Sequence, residues 1–139
     1  MSEPMYLGFD FGLKRMGVAV GQKLTGTARP LETLAVKEGE PDWEIIKKLI
    51  NVWRPEACIV GLPLRLDDKD QPITIAARRF AKQLSAFSAL PTYPVDERLS
   101  TVEARALLFE QGGYRKIKKS QVDSFAASII LEQWLKCPG

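Results

Sequence analysis

An α/β domain, built on a mixed five-stranded sheet with helices against it, is the fold class this sequence predicts, on three observations. The first 36 residues hold three strand-like runs separated only by turns, which makes an antiparallel three-strand meander. Beyond residue 39, segments of helical period alternate with short apolar runs, the pattern of parallel strands joined by crossover helices. The 139 residues, 45% apolar and 27% charged, supply material for one core, so 1–139 is expected to be a single domain.

The elements follow in order. Residues 5–10, Met-Tyr-Leu-Gly-Phe-Asp, are short, apolar and aromatic, as a buried strand should be. Residues 11–15 make a tight turn, with Gly12 free to take positive φ. Residues 17–21 return as the second strand, and residues 29–36 form a third, with Pro30 at its start or on an edge. Trp43, Ile46, Leu49, Ile50 and Trp53 then recur at helical spacing, with Pro41 suited to the first turn and Pro55 to the stop. Both tryptophans share the apolar face, which assigns them to core packing. Residues 57–62 are a continuous apolar run, suited to an interior parallel strand.

Residues 63–71 are a polar loop. Pro72 opens a second helix whose buried face is marked by Ile73, Ala76, Ala77, Phe80, Leu84 and Phe87. Residues 92–95, between Pro91 and Pro94, form a short strand near an edge. Ser100-Thr101-Val102-Glu103 has the capping-box form and starts a third helix through Phe109, ended by Gly112-Gly113. Ser120-Gln121-Val122-Asp123 repeats that form at the head of the last helix, with Phe125, Ala126, Ile129 and Ile130 toward the core.

Absences narrow the chemistry. There is no histidine, which removes triads and every site built on imidazole. The two cysteines, Cys58 and Cys137, are too few for a four-ligand zinc site and are taken as incidental. No apolar run is long enough to span a bilayer, and the N-terminus lacks a basic, apolar secretory signal, so a cytoplasmic protein without a membrane partner is expected. Twenty basic against 17 acidic residues leave a net charge of +3, too mild to argue for nucleic acid by itself. Its distribution is more telling: Arg115, Lys116, Lys118 and Lys119 cluster in a stretch with no acid.

What remains is carboxylate chemistry. Asp10 ends the first strand, Asp96 and Glu97 end the last, and Asp123 lies in the first turn of the last helix. Open α/β sheets bind ligands at the carboxyl ends of their strands, where acids from these places would converge. Clustered carboxylates stay ionised together when a cation joins them. Mg²⁺ or Mn²⁺ suits such oxygen ligands and serves phosphodiester hydrolysis without histidine. Each residue also has a plainer use. Asp10 fits the start of a turn, Asp123 fits the third helical position of a capping box, and Asp96 and Glu97 fit pairing with Arg98 or capping of the next helix. The basic stretch fits a solvated turn equally.

Four segments taken together break that tie. Phe9-Asp10-Phe11-Gly12-Leu13-Lys14-Arg15-Met16-Gly17-Val18-Ala19, Val60-Gly61-Leu62-Pro63, Asp96-Glu97-Arg98-Leu99-Ser100-Thr101-Val102-Glu103-Ala104 and Val122-Asp123-Ser124-Phe125-Ala126-Ala127 closely resemble the YqgF/RuvX family. Its members are known as pre-16S ribosomal RNA nucleases and as Holliday junction resolvases. The resemblance covers essentially the whole chain, in order, and implies an RNase H-like fold. It implies that Asp10, Glu97 and Asp123 are the catalytic, metal-binding acids, with Asp10 bridging the metals and Mg²⁺ or Mn²⁺ as cofactor. Lys14, Arg15 and Arg98 flank that site and are expected to hold phosphates, while Arg115, Lys116, Lys118 and Lys119 would track the backbone. A fourth acid that junction resolvases carry on the last helix has no match, since Ser124, Ala126 and Ala127 occupy its neighbourhood. The expected activity is therefore metal-dependent hydrolysis of RNA, maturing the 5′ end of pre-16S rRNA, with possible ribosomal contact. Cleavage of branched DNA by a dimer, and a non-catalytic role in ribosome assembly, are the alternatives.

Overall fold

The computed structural model describes residues 4–62, 72–96 and 119–136, with backbone alone at 96 and 119–123. Among the described residues there are six strands where five were expected. They are β1 (Met5–Asp10), β2 (Arg15–Gln22), β3 (Thr27–Lys37), β4 (Glu40–Pro41), β5 (Ala57–Leu62) and β6 (Thr92–Asp96). The described helices are α1 (Trp43–Trp53), α2 (Pro72–Ser88) and α3 (Lys119–Lys136). The strand order is β4-β3-β2-β1-β5-β6. The meander from β1 to β4 is antiparallel, and β5 and β6 add in parallel beside β1. The helix expected over residues 100–109 lies outside the described residues.

The extra strand has a local cause. Glu38 and Gly39 both take positive φ, 52° and 79°, which is what a two-residue turn matched to strand twist demands. The chain therefore folds back for one more pairing, Val36 with Pro41 and Lys37 with Glu40. Pro41 belongs to that strand rather than to the first turn of α1. The N-cap is Asp42 instead, whose carboxylate accepts from the Glu44 N–H at 3.1 Å. At the other end Arg54 takes the left-handed conformation and donates its N–H to the Ile50 carbonyl at 2.8 Å, closing the helix just before Pro55.

Two cores sandwich the sheet. The larger lies under α1 and α2, where Leu7, Phe9, Val18, Cys58 and Val60 meet Ile46, Leu49, Ala77, Phe80 and Leu84. Phe80 is its hub, with Phe9, Phe11 and Trp43 rings at 5.7, 5.3 and 5.7 Å. Trp43 and Trp53 thus both pack on this core, half-buried, and the Arg29 guanidinium covers the Trp53 ring at 5.1 Å. The expected buried face of α2 needs one change at each end. Thr74 is fully buried, and Phe87 is half-exposed against Trp43. The smaller core lies under α3, where Tyr6, Ala19, Ala57 and Ile59 meet Ala127, Ile130, Leu131 and Leu135.

Small residues on the strands let α3 approach closely. A Cβ at Gly8 would sit 2.9 Å from the Leu131 Cβ and 3.3 Å from the Ala127 carbonyl oxygen. Besides Pro41 in β4, prolines fall within β3, opposite Ala19, and within β6, beside Val60.

Candidate active site

Asp10 stands at the carboxyl end of β1, in a row of partners running Thr33, Gly17, Asp10, Gly61, Val95 across β3, β2, β1, β5 and β6. Alternation along β1 sets its side of the sheet. Leu7 and Phe9 enter the larger core, whereas Tyr6 and Gly8 face α3. Asp10 continues the second series and is half-buried.

The turn that follows is held by backbone rather than by glycine's left-handed freedom. Gly12 does not take positive φ. It is needed because a Cβ there would overlap the Arg15 carbonyl. The Lys14 carbonyl in turn accepts from the Val36 N–H at 2.9 Å, pinning the turn to β3. Lys14 and Arg15 are both exposed on it, one residue after an exposed Leu13.

Helix α3 runs antiparallel to β1. Trp134 lies against Tyr6, with ring centroids 5.3 Å apart, and Ala127 and Leu131 lie over Gly8. From Ala127 one turn toward the helix start is a rise of about 6 Å. From Gly8 two residues onward to Asp10 is about 6.6 Å. The backbone of Asp123 is therefore at the level of Asp10. The helix opens at Lys119, so Ser120 is inside it and cannot cap it, and Asp123 is its fifth residue rather than part of its first turn. The capping-box use of Asp123 falls away on that ground.

One contact fastens this end of α3. The Thr33 and Ser124 hydroxyls lie 2.6 Å apart, joining the β3 member of the Asp10 row to the residue after Asp123. Sequence reasoning missed this pair, since nothing in a threonine and a serine 91 positions apart marks them as neighbours. Ser124, Ala126 and Ala127 are all buried in packing.

Glu97 lies outside the described residues, immediately after Asp96, which ends β6 and pairs with Leu62. Arg98, Arg115, Lys116 and Lys118 also lie outside them, and Lys119 opens α3. Among the described residues no three His, Cys, Asp or Glu side chains form a metal cage. Of the three expected ligands, only the Asp10 side chain is described. Cys58 takes no part in this site. It is a free thiol, fully buried in the larger core, and burial pushes it up to about 12.

Comparison with known proteins covers nearly the whole chain. The family model described as RuvX, Holliday junction resolvase, matches residues 4–137. A protein of Legionella pneumophila (strain Lens) named "Putative pre-16S rRNA nuclease" is 62% identical over 136 residues, 98% of each chain. One of the same name from Klebsiella pneumoniae subsp. pneumoniae is 54% identical over 131 residues, 94% of this chain and 95% of its own. Among solved structures, Thermus thermophilus RuvC in complex with a Holliday junction substrate superposes with a TM-score of 0.55 at 19% identity, over 96% of this chain and 94% of its own. The fowlpox virus Holliday junction resolvase does so with a TM-score of 0.55 at 13% identity, over 95% and 98%. At such identities these two likenesses are of fold. Among the described residues no helix is long and apolar enough to cross a membrane.

Proposed function

The chain belongs to the RuvX family, and from that premise we propose that it is a cytoplasmic, single-domain nuclease that hydrolyses phosphodiester bonds in RNA, maturing the 5′ end of pre-16S rRNA. The observation that carries this reading is the Thr33–Ser124 contact, which ties the residue after Asp123 to the strand row that holds Asp10. It is strengthened by the loss of Asp123's alternative use as a cap.

Asp10, Glu97 and Asp123 would hold Mg²⁺ or Mn²⁺, because an all-carboxylate donor set fits hard cations. When bound, such ions activate water and stabilise the leaving oxygen. The chain's own residues supply position. Asp10 is fixed by pairing on both sides, to Gly17 and Gly61. The Gly12 turn carries Lys14 and Arg15 to the same end of β1, where their charges can hold the phosphates flanking the scissile bond. The Thr33–Ser124 contact fastens the start of α3 against β3. Arg98, Arg115, Lys116, Lys118 and Lys119 would extend the phosphate contacts without reading sequence.

The test uses purified protein with pre-16S 5′-leader RNA and with a four-way DNA junction, each with Mg²⁺ and with Mn²⁺. Metal-dependent cutting of the leader, abolished in Asp10→Asn, is expected. Cutting of the junction alone would replace RNA by DNA as substrate. Cleavage that survives Asp10→Asn would remove the site.

A further inference from the structure

At the opposite end of β1 from Asp10, three aromatic rings from three elements meet. Tyr6 of β1 lies against Trp134 of α3 at 5.3 Å, and Trp134 lies nearly parallel to Tyr93 of β6, at 5.4 Å and 26°. Tyr6 is buried and Trp134 half-buried, so they anchor the group, while Tyr93 is 44% exposed. These rings open onto a recess of about 400 Å³, also lined by Lys23 and Glu56, the size range of small-molecule sites. The Lys23 ammonium lies 5.9 Å from the Trp134 ring centroid.

We propose that this recess binds one unpaired nucleobase of the RNA strand, stacked on the platform of the exposed Tyr93 ring, which Trp134 backs. The side chains around the platform favour a base over other occupants. Glu56 puts a carboxylate in the lining, which repels a phosphate but accepts N–H groups of the kind guanine, cytosine and adenine present at their edges. Lys23 places one cation at the same recess, suited to the phosphate of the stacked nucleotide. An apolar peptide would leave both charges unmet. The site lies four residues along β1 from Asp10, about 13 Å, so one strand engaged at the carboxylates can reach it. It rests on the RNA reading above, but it concerns binding rather than cleavage.

The experiment is fluorescence anisotropy with a labelled 12-nucleotide single-stranded RNA of mixed sequence, in EDTA, so that metal-dependent cutting cannot contribute. Tyr93→Leu keeps an apolar side chain on an edge strand but removes the π-face, and should weaken binding roughly 5- to 150-fold, the range of one lost base stack. Tyr93→Phe should bind as wild type does. The dependence of affinity on salt should be the same in all three, because no phosphate contact is removed. Binding unchanged in Tyr93→Leu, lost equally in Tyr93→Phe, or absent in wild type would overturn the proposal. If wild type binds with this pattern yet fails to cut leader RNA with metal present, the nuclease reading fails and the base site stands.

Discussion

Single residues divide into those that act and those that only permit. Asp123 separates the two cleanly, because as the fifth residue of α3 it is no cap. Asp123→Asn keeps an oxygen but loses the charge, so melting should shift by well under the ~1 kcal/mol of a lost cap while metal-dependent cleavage collapses. Melting and cleavage measured on one preparation check this, and activity near wild type would return Asp123 to a structural role. Gly12 is permissive, its bareness required by the Arg15 carbonyl. Cys58 belongs to stability alone. Its folded value is raised to about 12, whereas an unfolded thiol titrates near ~8.5. Its contribution is therefore complete below that pH and lost as pH climbs through the window toward 12, by about 1.4 kcal/mol per unit. The gap in urea midpoint between wild type and Cys58→Ala should accordingly narrow between pH 8 and pH 10.

At the level of elements, the seat of α3 on β1 sets where Asp123 stands relative to Asp10. Gly8→Ala would drive a methyl against Leu131 and the Ala127 carbonyl, costing about 1–3 kcal/mol by overpacking and displacing Asp123 from the level of Asp10. A lowered melting temperature together with a cleavage loss larger than that destabilisation explains would show it; full activity would argue against so tight a linkage. Most elements were legible because burial imposes their period. Strand β1 and strand β5 have the bounds their apolar runs suggest, and α1 ends where Pro55 requires. What escaped was decided by backbone geometry or by distant contacts. The two-residue β4 arises from paired positive φ at Glu38 and Gly39, which no apolar pattern announces. The start of α3 at Lys119 overrode a capping-box motif that was correct only as a string of letters. Of the candidate site, Asp10, Glu97 and Asp123 were all legible as acids at strand ends and a helix start. Each had a plainer local use, and choosing between the two took the family resemblance, since the spacing between these acids passes through the whole fold.

The whole molecule carries only +3, so nucleic-acid affinity must come from where its cations stand. Neutralising Arg115 and Lys116 should weaken RNA binding about uniformly across sequences and flatten the salt slope by roughly 2. An unchanged slope would make that segment a connector. The margins of the sheet point elsewhere. Of its two outer flanks, β3 is covered by β4 only at Val36 and Lys37, and β6 has no further strand beside it among the described residues. Each carries a proline, Pro30 and Pro94, and a proline cannot offer the N–H that an incoming chain would pair with. The fold that sets the ends of β1, β5 and β6 side by side thus leaves, among the described residues, two unfinished borders, and a proline on each lowers its capacity to seed aggregates when many copies crowd together.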